Sequence, residues 1–178
     1  RTDPDVFPAT DNVPASLGKE QYKCAVSLVK AVGKVGTGVL IFVSGINDIL
    51  EIGMLLESLP KYLVLAIHSD IPFDEQQKAF EPCPPSQVKV IIATNAAESS
   101  ITLPDVDVVI CLGTHKALSY NHVSRRTQLI NSWISKASGT QRNGRTGRVR
   151  PGTIYRLYSK ARFNSFSDHE AAEVHRRP

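Results

Sequence analysis

The sequence predicts an α/β fold in which a parallel β-sheet is covered by helices on both faces. Short runs rich in β-branched residues alternate along the chain with longer segments whose apolar residues recur at helical spacing. These short runs are apolar throughout, as expected for strands that are buried on both faces. The chain has 178 residues, of which 42% are hydrophobic and 21% are charged. It is therefore long enough for one domain with its own core.

The predicted elements follow one another in order along the chain. A helix is predicted over 19–33, where the helical spacing of apolar residues stops at Gly33. A second helix is predicted over 47–59, with an Asn or Asp as its N-cap and Pro60 after its end. A short third helix is predicted over 73–80. The predicted strands are 38–45, 62–69, 87–95, 105–113 and 152–159.

The remaining segments define a hairpin and the domain limits. Residues 115–134 contain two β-rich runs that flank "NHVSR", which predicts a β-hairpin inserted before the last strand. Residues 1–18 are rich in proline and are predicted to be a linker. The domain is predicted to cover 19–165, and 166–178 to begin a linker to a following domain. We expect the chain to be a slice of a larger protein.

Composition excludes several classes of protein. No apolar run approaches the roughly 18 residues that span a bilayer, and no signal-peptide pattern opens the chain. Cys24, Cys83 and Cys111 lack the spacing of metal ligands, so neither a zinc site nor any other metal site is predicted. An odd number of cysteines suits a reducing compartment. We therefore expect an intracellular protein, cytoplasmic or nuclear, without a membrane partner.

Charge is distributed unevenly along the chain. Residues 108–167 contain eleven Lys and Arg residues and no Asp or Glu, although the net charge of the whole chain is only +4. This asymmetry predicts a polyanionic partner for the C-terminal half. A solvated basic face is the alternative.

Three arginines lie three residues apart in "QRNGRTGR" (141–148), at Arg142, Arg145 and Arg148. Clustered cations repel one another, and the two glycines cost about 1 kcal/mol each inside a helix. The segment is therefore predicted to face an anion at close range, since the guanidinium fork suits phosphate.

The chain has no phosphate-binding loop of its own. "VGKV" (32–35) has valine where a P-loop needs a hydroxyl residue, and "DHEA" (168–171) follows no apolar strand. The arginines are therefore predicted to act on a nucleotide held by another domain. The alternative is a glycine-arginine loop that binds RNA without a nucleotide role.

Small polar residues end three of the predicted strands. They are "SG" (44–45), "HS" (68–69) and "TN" (94–95). In a parallel sheet these positions share one edge, where ligands bind. Small side chains and accessible backbone N–H groups suit phosphates, which favours contact with a nucleic-acid backbone.

Five segments together resemble the second RecA-like domain of DEAH-box (DExH) superfamily-2 RNA helicases. They are "LIFVSG", "HSDIPFDEQQKAFEP", "IIATNAAESSITLPDVDVVI", "ISKASGTQRNGRTGR" and "PGTIYRLYS", in the family's order and spacing. The resemblance covers about 38–160 and includes motif IV ("LIFVSG"), motif V ("IIATNAAESSITLPDVDVVI") and motif VI ("ISKASGTQRNGRTGR"). It implies a RecA-like fold with the β-hairpin inserted between motifs V and VI.

The resemblance also implies site residues. Gln141, Arg145 and Arg148 would face the terminal phosphate and the attacking water, with Arg148 as the arginine finger. Phe80 would stack on the nucleotide base, although a core phenylalanine is an equal alternative. Ser100 would couple the RNA and nucleotide sites. The residues implied to contact RNA are Ser69, Thr94, Asn95, Arg125 and Arg126.

The implied function is the C-terminal RecA-like domain of an ATP-dependent RNA helicase, inactive alone. ATP and Mg²⁺ would be held mainly by a first RecA-like domain of the same polypeptide. Further partners would be RNA and the C-terminal domains of that polypeptide, with an activating protein left open. The alternatives are a non-catalytic RNA-binding module of helicase fold and a DNA-directed superfamily-2 helicase.

Overall fold

The computed structural model describes residues 18–68, 74, 77–94, 103, 106–143, 152–158 and 164. Five strands form a parallel sheet, and a separate antiparallel pair follows the fourth strand. The strands are β1 (Gly38–Phe42), β2 (Tyr62–Ile67), β3 (Val88–Ala93), β4 (Val106–Cys111), β5 (Thr114–Asn121), β6 (Arg126–Trp133) and β7 (Thr153–Arg156). The helices are α1 (Lys19–Val32), α2 (Ile46–Glu57) and α3 (Lys136–Asn143), with a 3₁₀ turn at Gln77–Phe80.

The predicted α/β class with a parallel sheet is confirmed. The strand order is β2-β3-β1-β4-β7, and all four pairings within this sheet are parallel. Each of the five predicted core strands is present, shortened by two to four residues. The predicted hairpin corresponds to β5 and β6, which pair from Thr114↔Trp133 to Asn121↔Arg126.

The sheet separates two apolar clusters. Residues of α1 and α2 pack with alternate side chains of β1, including Val39 and Ile41. Leu40 and Phe42 belong to the second cluster, because successive side chains of a strand point to opposite faces. All residues of β1 are buried, which explains why this central strand is apolar at every position.

Two local predictions differ from the structure. Residues 73–80 were expected to form a helix; of the described residues in this span, Asp74 is helical, whereas Gln77–Phe80 form a 3₁₀ turn. The start of α2 was expected to be capped by an Asn or Asp preceding it, but Gly45 occupies the N-cap position. Asp48 lies in the first turn, where its Oδ2 accepts hydrogen bonds from the backbone N–H groups of Ser44 (3.1 Å) and Gly45 (3.0 Å). The acid therefore stabilises the helix start from inside the first turn.

Helix α3 was missed as an element because Ser, Gly and Asn in "KASGTQRN" lower helix propensity. The signal that marks its start is Ser135, whose Oγ accepts a hydrogen bond from the Ser138 N–H at 3.0 Å. Among the described helices, none is long and apolar enough to cross a membrane.

A buried tyrosine makes stability sensitive to alkaline pH. The Tyr22 hydroxyl donates to Asp48, and the side chain is 8% exposed. Burial raises the pKa of Tyr22 above its ordinary value of 10, and the hydrogen bond and charge of Asp48 raise it further. The neutral phenol therefore stabilises the fold fully below pH 10, and this contribution is lost as pH rises beyond it.

We expect the free energy of unfolding to fall less steeply above about pH 10 in Tyr22→Phe than in the wild-type chain. Urea unfolding at a series of pH values measures both slopes. The two proteins differ at residue 22 alone, so the difference between their slopes reports Tyr22. Equal slopes in the two proteins would contradict a raised pKa of Tyr22 in the folded state.

Candidate functional site at the carboxyl edge of the sheet

The last residues of the five parallel strands form one continuous row. Ile67 pairs with Ala93, Ala93 with Phe42, Phe42 with Cys111, and Cys111 with Arg156. The segments that follow these strands therefore leave the sheet at the same edge, as predicted. This edge is where open α/β sheets bind ligands.

The backbone N–H groups at this edge are used inside the domain. The N–H groups of Ser44 and Gly45 donate to Asp48, and that of Thr94 donates to the Ile67 carbonyl at 3.2 Å. The expectation that these N–H groups are accessible to phosphates is therefore wrong at these three residues. The reason is that the edge is buried, so each donor must have a partner within the protein. Thr94 itself is only 6% exposed.

Arg142 is fully buried, with an exposed fraction of 0%. Its Nη2 donates to the Thr114 carbonyl at 3.2 Å, and its Nη1 donates to Cys111 Sγ at 3.6 Å. The guanidinium carbon lies 4.8 Å from the centre of the Phe42 ring, a cation–π geometry. Arg142 therefore anchors α3 to the ends of β1 and β4 and to the start of β5.

This position corrects the prediction that three arginines of "QRNGRTGR" face one anion. Arg142 points into the protein, whereas Gln141, one residue earlier on the same helix, is exposed. Consecutive helical residues lie about 100° apart, so burial of one side chain turns its neighbour outward. Arg145 and Arg148 lie outside the described residues, so their orientation stays a prediction.

The hairpin begins in a tightly packed junction at the same edge. Gly113 has φ +83°, and a Cβ added there would lie 2.6 Å from Tyr158 Cδ1, so only glycine fits. The Ile134 N–H donates to the Gly113 carbonyl at 2.9 Å, which closes the base of the hairpin. Burial raises the pKa of Tyr158, and the adjacent Cys111 contributes in the same direction. The phenol is therefore neutral at physiological pH.

The hairpin tip is ordered by its own side chains. Asn121 Oδ1 accepts hydrogen bonds from the N–H groups of Val123 (2.9 Å) and Ser124 (3.1 Å), which forms an Asx turn. Arg125 adopts φ +56° and completes the reversal of the chain. Val123 is 97% exposed, and Arg125 and Arg126 are both exposed beside it. The tip therefore presents two cations and one apolar side chain to solvent.

The remaining predicted site residues fall into two groups. Phe80 is half-buried at the end of the 3₁₀ turn and packs against the apolar cluster that contains Phe42. This packing agrees with the core alternative and leaves part of the residue exposed. Outside the described residues lie Ser69, Asn95, Ser100, Arg145 and Arg148. In the described part of the chain, no group of three or more His, Cys, Asp or Glu side chains is placed to hold a metal ion.

Comparison with known proteins identifies this arrangement. The model of the helicase conserved C-terminal domain matches residues 20–150. The chain belongs to this helicase family. The chain is 40% identical over 152 residues to the DExH-box ATP-dependent RNA helicase DExH1 of Arabidopsis thaliana, and 41% identical over 145 residues to the ATP-dependent RNA helicase DHX29 of Mus musculus.

These relatives are much longer proteins. The matches cover 80% and 79% of this chain but only 15% and 11% of the two relatives. Among solved structures, the E. coli DExH-box NTPase HrpB matches 94% of this chain and 20% of its own chain, with a TM-score of 0.79 at 25% identity. The resemblance to the second RecA-like domain of DExH-box RNA helicases is therefore confirmed.

Sequence reasoning missed the structural roles of three residues that organise the site: Asp48, Thr114 and Arg142. Asp48 holds the loop after β1, Thr114 contacts that loop, and Arg142 holds α3. Only Asp48 carried a local signal, as an acid in the first turn of a helix. The other two interactions join residues 70 and 28 positions apart in the chain, which no local pattern marks.

Proposed function

We propose that this chain is the C-terminal RecA-like domain of an ATP-dependent RNA helicase, and that it forms one wall of an ATP site and part of an RNA groove. The observation that carries the proposal is the anchoring of α3 by the buried Arg142. It holds exposed Gln141 at the carboxyl edge of the sheet, immediately before the segment that contains Arg145 and Arg148.

On the nucleotide side, Arg145 and Arg148 would stabilise the charge that develops on the terminal phosphate, and Gln141 would orient the attacking water. The half-buried Phe80 would stack on the base. The chain lacks a P-loop, and its described residues offer no carboxylate cluster for Mg²⁺. A first RecA-like domain of the same polypeptide would therefore hold ATP and Mg²⁺. The chain alone would not hydrolyse ATP.

On the RNA side, Arg125 and Arg126 at the hairpin tip would contact phosphates. Thr94 would use its hydroxyl, because its N–H is already bonded to Ile67. Ser69 and Asn95 would add backbone contacts, and Ser100 would couple the two sites. Opening and closing of the cleft between the two RecA-like domains would move the protein along the strand.

ATP hydrolysis tests this function directly. We expect the full-length parent protein to hydrolyse ATP faster when single-stranded RNA is added, and the isolated 178-residue chain to show no activity above background. Competition with DNA of the same sequence separates an RNA helicase from a DNA-directed one. A parent protein that binds RNA but hydrolyses no ATP would support the non-catalytic module instead.

The hairpin tip should contribute to RNA affinity equally for different RNA sequences. In the parent protein, the double variant Arg125→Ala/Arg126→Ala is expected to weaken binding to several RNA sequences equally. The slope of log affinity against log salt should fall by about 1 for each arginine–phosphate pair that the substitutions remove. Fluorescence anisotropy at several salt concentrations measures both effects.

A matched control removes the same charge elsewhere. Lys23 and Lys30 are exposed on α1, outside the hairpin. Lys23→Ala/Lys30→Ala is therefore expected to leave the salt slope unchanged. Equal decreases in affinity in the two double variants would mean that net charge, rather than the hairpin, attracts the RNA.

A further inference from the structure

We propose that Thr114 is a positioning residue that ties the loop after β1 and the base of the hairpin to the motif VI helix α3. The Thr114 hydroxyl contacts the loop after β1, and the Thr114 carbonyl contacts α3. A single residue therefore sets the positions of these elements relative to one another. The inference rests on the proposed function, since it assigns Thr114 a role in RNA-stimulated ATP hydrolysis.

The hydroxyl side of this junction is completely enclosed. Thr114 Oγ1 and Ser44 Oγ share a hydrogen bond of 2.5 Å, and the two residues are 0% and 3% exposed. Ser44 is itself fixed, because its N–H donates to Asp48, whose carboxylate also accepts a hydrogen bond from Tyr22. The hydroxyl of Thr114 is therefore joined to α1 and α2 through buried polar contacts.

The carbonyl side connects to motif VI. Arg142 Nη2 donates to the Thr114 carbonyl at 3.2 Å, and the guanidinium is held between this oxygen, Cys111 Sγ and the Phe42 ring. Gln141, which would orient the attacking water, precedes Arg142 directly on α3. A displacement of Thr114 would thus move the anchor of the helix that carries Gln141 and precedes the segment with Arg145 and Arg148.

Thr114 is also the first residue of β5, so it moves with the hairpin. The hairpin tip carries Arg125 and Arg126, the proposed RNA contacts, and the base is closed by the bond from the Ile134 N–H to the Gly113 carbonyl. RNA at the tip and ATP at motif VI would therefore act on opposite ends of one packed unit. Thr114 lies where the two ends meet.

The test compares Thr114→Val with Thr114→Ser in the full-length parent protein. Valine keeps the shape and removes the hydroxyl, whereas serine keeps the hydroxyl and removes only a methyl group. We expect Thr114→Val to lower kcat for ATP hydrolysis at saturating RNA by about fivefold or more, a coupling of ordinary size, while KM for ATP changes less. Thr114→Ser is expected to stay within about twofold of wild type.

Ser44→Ala removes the same hydrogen bond from its other side. Its effect on kcat should resemble that of Thr114→Val, and the double variant should be no worse than either single variant, because both substitutions break one shared hydrogen bond. Additive effects would overturn the inference. If thermal melting shows that Thr114→Val does not fold, the kcat of Ser44→Ala alone tests the inference. A kcat equal to that of wild type would then overturn it.

The two proposals fail in different ways. Wild-type kcat in both Thr114→Val and Ser44→Ala, with RNA stimulation intact, would overturn the positioning role and leave the helicase function standing. A wild-type parent protein that RNA does not stimulate would overturn the proposed function and this inference together.

Discussion

Replacing Arg148 with alanine in the full-length parent protein is expected to lower RNA-stimulated ATP hydrolysis by about 10³-fold or more. An arginine finger stabilises charge that appears only in the transition state, so its removal reduces kcat far more than it reduces nucleotide binding. Steady-state hydrolysis at saturating ATP and RNA measures the effect on kcat. Equilibrium binding of a fluorescent ATP analogue measures whether the nucleotide site persists.

Two further variants make this experiment specific. Arg148→Lys keeps the charge but not the planar fork, so most of the decrease in kcat is expected to remain. Arg150→Ala removes a neighbouring arginine that has no proposed role, and its activity should stay near that of wild type. If Arg148→Ala hydrolyses ATP as fast as wild type, the arginines of motif VI serve RNA binding and the finger assignment is wrong.

Replacing Arg142 with alanine is expected to destabilise the domain by about 3 kcal/mol. The change opens a cavity beneath α3, leaves the Thr114 carbonyl without its guanidinium donor, and removes the cation–π interaction with Phe42. Urea unfolding of the 178-residue chain measures this as a lower midpoint with an unchanged slope.

An exposed arginine gives the control. Arg126 is exposed, so Arg126→Ala should change the free energy of unfolding by less than about 0.5 kcal/mol. Arg142→Met refills much of the volume without the charge and should reduce stability less than Arg142→Ala. An unfolding midpoint for Arg142→Ala equal to that of wild type would show that the buried position contributes nothing to stability.

The sheet was predictable because burial on both faces leaves a strong local pattern. Runs such as "GVLIF" and "VKVIIA" are β-branched and nearly uniformly apolar, and each became a fully buried strand. The hairpin was predictable for a similar reason, since two β-rich runs flank a short polar turn. Helix α3 was not predictable in this way, because the packing of Arg142 and the cap at Ser135 outweigh its weak propensity.

By itself, the sequence determined the fold class, the five core strands, the shared edge of the sheet and the helicase family, because these follow from local composition and from motifs that are contiguous in the chain. Only the tertiary structure decided which polar groups at this edge form hydrogen bonds inside the domain and which side chains are exposed. It showed that Ser44, Gly45 and Thr94 use their N–H groups inside the domain. It also showed that Arg142 is buried while Gln141 is exposed. The position of Arg142 depends on residues far apart in sequence, and burial at this edge requires each polar group to find a partner within the protein.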